Sequence, residues 1–294
     1  MLHPITFSIP EEKIITPEPE KSKIVSSLIP GRLETYIYNT EKDYYEEYKK
    51  SMFAITMKKA GWDCMRHYEI LACGTIPYFV DIHSCPPNTM ALLPKQMFIE
   101  GNQLFERING KTKLDNSEVN EYFNLRKRLL DYTKTHLKTK AMATYVLEKS
   151  NHSGAKNILY LSGDTKPDYL RCLTLHGFKK LLGTSFHDYP KIPHVYESGG
   201  NQYKTTYGRG YTYSNILKDN EHNDELDANV EEDIKNKKYD IVIYPSFHRG
   251  MPFYDLVSSV YKPNEIILFC GEDIHSCDYN KWLKKGHHVF VREL

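Results

Sequence analysis

Short apolar runs alternate with longer amphipathic stretches along most of the chain. Runs of four or five apolar or β-branched residues predict strands at residues 5–9, 24–28, 35–38, 53–57 and 76–80. Between and after them the apolar spacing becomes helical, predicting helices at 41–51, 62–73, 95–107, 117–133 and 138–149. A polar stretch, EKSNHSGAK at 148–156, interrupts the pattern. The alternation then restarts, with strands predicted at 157–161, 240–244, 266–270 and 288–291 and helices at 168–182, 231–236 and 255–260. A long aromatic loop fills 189–214. Strands alternating with helices imply parallel sheets covered on both faces. The expected fold class is α/β, with two Rossmann-like domains, 1–150 and 151–294, facing a central cleft.

One segment carries far more polar chemistry than its neighbours. KKAGWDCMRHYEILACGTIPYF, residues 58–79, lies between two strands that read as buried. In doubly wound α/β sheets ligands bind beyond the carboxyl ends of strands. The strand at 53–57 therefore delivers Lys58, Lys59 and Gly61 to that edge. The helix starting near Trp62 points its free N–H groups and positive dipole end the same way, which is the chemistry of a phosphate site. At helical spacing Trp62, Arg66, Glu69 and Cys73 share a face. A carboxylate at Glu69 would then be placed to accept two hydrogen bonds from a ribose diol. A plainer reading of the same face is a solvated surface with an Arg66–Glu69 ion pair worth about 0.2–0.5 kcal/mol.

The run Arg66-x-x-Glu69-x-x-x-x-Gly74-x-Ile76-Pro77 resembles the signature of exostosin-like glycosyltransferases and of the wider GT-B class. The resemblance is close over about twenty residues and general over the rest of 1–150. It implies a donor domain in which Glu69 holds the ribose of a nucleotide-diphosphate sugar. Lys58, Lys59 and the Gly61-Trp62 backbone, with Arg66 beside them, would hold the diphosphate. Trp62, Asp63 and His67 as side chains are not part of that general pattern. The second half then corresponds to the acceptor and catalytic domain. Its strand ends carry three polar clusters: Ser162, Gly163, Asp164 and Asp168; His248 and Arg249; and Glu272, Asp273 and His275. An inverting transfer needs a general base for the acceptor hydroxyl, for which His248, Asp164 and Glu272 are the candidates in that order. A retaining transfer needs charge stabilisation of the leaving diphosphate, available from Arg249, Arg209, Lys58 and Lys59. Each cluster also has a structural reading: His248 and Arg249 as turn caps, Asp164 as an Asx-turn or N-cap residue, GEDIH as a solvated loop. The donor domain precedes the acceptor domain here, the reverse of the usual GT-B order, so the pattern implies a circular permutation or a segment of a longer tandem. D-x-D is absent from the sequence, so no metal and no other cofactor is expected.

Composition narrows the partners. The chain has 294 residues, 40% hydrophobic and 26% charged, and a net charge of +1, so no long-range field favours nucleic acid. Its 23 tyrosines suit aromatic-lined carbohydrate clefts and equally a decorated surface. No apolar run reaches a membrane span, and residues 1–13 lack a signal-like stretch. The six cysteines are scattered and read as reduced thiols, which suits the cytoplasm. Cys64, His67, His83 and Cys85 could supply four zinc ligands, but Cys64 and His67 fall in a helical pattern and no C-x-x-C spacing occurs. The expected activity is therefore metal-independent glycosyl transfer from a nucleotide-diphosphate sugar to a glycan or small hydroxyl acceptor. The alternatives are a non-catalytic sugar-binding module and another nucleotide enzyme such as an epimerase or phosphatase. Against the last stands the absence of G-x-G-x-x-G and of a P-loop.

Overall fold

The structure, a computed structural model, describes residues 1–16, 19–200, 206–273 and 277–294. Strand β1 (Leu2–Pro4) is followed by β2 (Lys23–Val25), helix α1 (Glu41–Lys49), β3 (Ser51–Thr56), α2 (Met65–Ala72) and β4 (Ile76–Phe79). Three helices come next, α3 (Lys95–Ile108), α4 (Asn116–His136) and α5 (Thr139–Lys149). Then come β5 (Ile158–Leu161), α6 (Tyr169–Leu182), β6 (Phe186–Tyr189), α7 (Asp224–Ala228), α8 (Val230–Lys235) and β7 (Ile241–Tyr244). The last elements are α9 (Tyr254–Val260), β8 (Ile266–Cys270), α10 (Asn280–Lys284) and β9 (His288–Val291).

The strands form two parallel sheets: a six-stranded one in the order β1-β9-β8-β7-β5-β6 and a three-stranded one in the order β2-β3-β4. Parallel ladders need helical crossovers, so the inner strands are covered on both faces and read as unbroken apolar runs. Strands β5, β7, β8 and β9 are buried along their whole length, as ILYL, IVIY, IILFC and HVFV demand. Local signals set the helix starts. Thr40 caps α1, Asp168 caps α6, and Asp115 with Glu118 forms a capping box on α4.

The α/β class and most elements follow the sequence pattern, but the ends of the chain do not. The first strand is residues 2–4 rather than 5–9, and it pairs with β9, so the first residues of the chain extend the second half's sheet. The expected division at 150 falls between α5 and β5, yet the largest hydrophobic cluster holds Phe53 and Ile76 of one half together with Ile158 and Phe290 of the other. Helix α5 lies on α6 so closely that Gly177 meets the Thr139 carbonyl, where no Cβ fits. The expected strand at 35–38 is a turn. Thr35 Oγ1 donates to the Arg32 carbonyl at 2.7 Å, and the Tyr38 hydroxyl turns to Glu47 at 2.8 Å, which leaves Ile37 exposed. Strand β6 was hidden by its polar letters, FHDY. His187 and Asp188 are buried because Lys179, His222, Asp227, Tyr196 and Tyr239 pair with them. Among the described residues no helix is long and apolar enough to cross a membrane.

Candidate functional site

The polar groups of residues 58–79 turn inward. Arg66 Nε donates to Thr56 Oγ1 at 3.1 Å and its Nη2 to the Met57 carbonyl at 3.2 Å. The Thr56 hydroxyl pairs with His67 Nδ1 at 2.9 Å, and His67 Nε2 donates to the Trp62 carbonyl at 2.8 Å. Burial, with Arg66 adding to it, pushes the His67 pKa down to about 3, so this imidazole stays neutral and structural. The relay locks the start of α2 onto the end of β3.

The same turn joins the two sheets at their carboxyl ends. Asp63 Oδ2 accepts the Phe7 N–H at 2.7 Å and Oδ1 accepts the Tyr68 hydroxyl at 2.8 Å. Arg292, fully buried just past β9, donates to the Asp63 carbonyl, to Asp273, to Glu293 at 2.8 Å and to the Gly271 carbonyl at 3.0 Å, and stacks on Phe7. Burial pushes Asp63 up to about 6 against the pull of Arg292 and of its own hydrogen bonds. Glu293 reaches back across the joint and accepts the N–H groups of Trp62 and Asp63, both at 3.0 Å. The backbone seat expected to hold a diphosphate is therefore filled by the chain's own carboxylate. Gly61 lies against the Glu293 and Asp273 carboxylates, which a side chain at this position would have to displace.

Beside this joint lies a cleft of about 240 Å³ whose lining combines the aromatic rings of Phe7, Tyr169, Tyr207 and Tyr213 with the polar groups of Asp168, Arg249, Glu272 and Asp273. The polar residues come from the ends of three strands, β5, β7 and β8. Asp168 caps α6 through the Arg171 N–H at 3.0 Å and accepts the Ser246 hydroxyl at 2.7 Å. Burial would raise its pKa, but Arg171, Arg249 and these hydrogen bonds hold it below the usual value. Arg249 lies 3.7 Å from both Asp168 and Glu272. His248 Nε2 is 2.6 Å from Glu272, and its Nδ1 is 3.5 Å from Cys277 Sγ. Of these polar groups, Glu272 and Asp273 are the more open, at 41% and 49% side-chain exposure, and Asp273 is engaged by Arg292.

The three expected second-half clusters thus converge, although their members differ in role. Glu272 and Arg249 line the cleft, with His248 behind Glu272. Asp164 instead pairs with buried Arg171 at 2.9 Å and accepts the Lys166 N–H at 3.1 Å, an Asx-turn, while Asp168 takes the cleft position. His275 lies outside the described residues.

The first-half residues are spread more widely. Lys58 has its ammonium over the Trp62 ring at 5.4 Å and its N–H on Asp81; exposed Lys59 donates its N–H to the Gly61 carbonyl at 3.0 Å. Arg209 donates to the Tyr38 carbonyl at 2.8 Å and to Asn39 at 2.7 Å, at the surface. Glu69 is buried rather than on an open helix face, and it makes no surface pair with Arg66. Its oxygens accept the hydroxyls of Tyr44 and Thr212, each at 2.6 Å, and burial raises its pKa despite them. Thr212 holds a positive φ of 75°, sustained by its N–H on Glu41 at 2.7 Å and its hydroxyl between Glu69 and Tyr45. It anchors the aromatic segment that carries Tyr207 and Tyr213, part of whose expected loop, 201–205, lies outside the described residues.

The cysteine expectation needs one correction: Cys270 and Cys277 form a disulfide, while Cys64, Cys73, Cys85 and Cys172 are free. The two cysteines are seven residues apart in sequence, with their Cα atoms 6.2 Å apart. Sequence reasoning missed Phe7, Tyr169, Tyr213, Arg292 and Glu293. The last two stand directly after a strand, where the carboxyl-edge rule would have found them.

Compared with protein-family models, with curated proteins and with solved structures, the chain matches none.

Proposed function

We propose that the protein transfers a glycosyl group from a nucleotide-diphosphate sugar to a hydroxyl acceptor in the cleft between the two carboxyl edges. The observation that carries this reading is a cleft whose lining combines four aromatic rings with Asp168, Arg249, Glu272 and Asp273, drawn from three strand ends. Sugar rings offer C–H faces to aromatic rings and hydroxyls to carboxylates. Arg249 supplies a fixed cation for a developing diphosphate charge. Glu272, backed by His248, is the group placed to accept the acceptor's proton. Glu69 serves by holding Thr212, and with it the tyrosine lining, rather than by binding ribose. The proposed setting is the cytoplasm, with no metal required for transfer.

One observation favours a second reading, a sugar-binding module without catalysis: Glu293 occupies the turn at Trp62 and Asp63 where a diphosphate would sit. A thermal-shift series with UDP-, GDP-, ADP-, dTDP- and CMP-sugars tests the proposal. A ligand at 100 times its Kd adds about 2.7 kcal/mol. The expected result is stabilisation by one nucleotide class, weakened in Arg249→Ala, with slow donor hydrolysis that Glu272→Gln abolishes. Stabilisation by free sugars alone, without turnover, supports the binding module. No response to any donor overturns the transferase reading.

A further inference from the structure

Next to Glu272, three donor atoms of a different chemistry meet. The sulfurs of Cys270 and Cys277 and the His248 ring nitrogen lie within 4.8 Å of one another. We propose that, once the Cys270–Cys277 bond is reduced, the two thiolates and His248 Nδ1 hold one zinc-class divalent cation.

The donor set is the first support. Two thiolates and an imidazole are ligands that zinc prefers, with Zn–S about 2.3 Å and Zn–N about 2.0 Å, which places neighbouring ligands of a tetrahedral site about 3.5 Å apart. His248 Nδ1 already stands 3.5 Å from Cys277 Sγ. The second support is the partner of the imidazole. Glu272 lies 2.6 Å from Nε2, much nearer than the Arg249 Nε at 3.4 Å, so a proton on Nε2 has the carboxylate to donate to and Nδ1 is left as the lone pair toward the sulfurs. A carboxylate behind a histidine in this way sets the tautomer that a metal needs. Third, both cysteines are buried, at 1% and 7% exposure, which shields the thiolate ligands from bulk solvent. In the reducing cytoplasm proposed above, paired cysteines are kept as thiols and are more often metal ligands than cross-links.

The chemistry balances with a dithiol or a phosphine as reductant. A dithiol supplies two electrons and two protons, the S–S bond becomes two thiols, and the dithiol closes to its own disulfide. Metal binding then displaces both thiol protons to solvent. Three protein donors leave the fourth position to water. Because Glu272 lines the cleft and also backs His248, a cation held by His248 would sit one hydrogen bond away from the cleft lining. The cluster stands independently of what the cleft binds.

The test titrates cobalt(II) into the metal-free protein after phosphine reduction and removal of the reductant. A thiolate-to-cobalt charge-transfer band should saturate at one equivalent per chain, and zinc should displace it. The same protein with its disulfide intact should show no band, a comparison needing no variant. Cys277→Ser should lose the band, His248→Gln should weaken binding, and Glu272→Gln should weaken it about 10- to 100-fold. Reduced protein that takes up no stoichiometric cobalt overturns the proposal. So does a band that survives in Cys277→Ser, which would assign it to the other cysteines.

Discussion

Two buried carboxylates, Glu47 and Glu69, show how burial and partners decide charge. Glu47 is buried, which alone would raise its pKa. Lys23 at 2.6 Å, the Ser27 N–H at 2.7 Å and the Tyr38 hydroxyl at 2.8 Å outweigh burial and hold it at about 2. Its stabilising contribution is therefore complete above the ordinary value of 4.5 and is lost as pH falls toward 2. Glu47→Gln should cost about 2–3 kcal/mol at neutral pH and flatten the acid limb of a urea-denaturation pH series. Glu69 has the opposite sign. With a raised pKa, its contribution is full below 4.5 and declines as pH rises through the native value. Thr212→Ala removes one of its donors and should destabilise the protein by about 1–3 kcal/mol. It should also increase hydrogen exchange across 206–214, and unchanged exchange there would show that Thr212 does not anchor the segment.

At the scale of elements, helix-on-helix contact rather than propensity sets the limits. Gly177 sits in the middle of α6, where glycine costs helix stability, yet it allows the Thr139 backbone at the start of α5 to touch the helix. Gly177→Ala gains intrinsic propensity but forces the two helices apart. A net loss of about 1–3 kcal/mol by chemical denaturation is expected. A stabilised variant would mean that the helices separate at no cost. Element types were legible wherever both faces of a strand are apolar, as in β5, β7, β8 and β9. They were not legible in β6, because a strand carrying His187 and Asp188 becomes apolar in effect only after Lys179 and His222 have neutralised it. The turn at 33–38 failed for the converse reason. Its letters alternate, but the N–H groups of Thr35 and Tyr36 close local turns on the Arg32 and Leu33 carbonyls instead of joining a ladder.

Across the whole molecule, the joint between the two sheets depends on Arg292. It is fully buried and faces Asp63, Asp273 and Glu293, so removing its charge leaves Asp63 without a cation. Arg292→Met should cost about 3–5 kcal/mol. It should also push the Asp63 carboxyl, already at about 6, further up, readable by carbon NMR of the carboxyl groups. An unchanged Asp63 titration would place the stabilisation of the joint elsewhere.

The sequence by itself determined the α/β class, the parallel sheets, most helix and strand positions, and the convergence of the ends of β5, β7 and β8 on one place. These follow from local periodicity and from the rule that parallel strands present their carboxyl ends on one side. Only the tertiary structure decided which polar groups remain available there. Arg66 and Glu69 look open on a helical wheel, but β3, α1 and the segment carrying Thr212 close over them. The turn at Trp62 looks like an anion seat until Glu293, more than 200 residues away in sequence, fills it. A buried polar group must find a partner, and when that partner comes from the other end of the chain no local pattern can announce it.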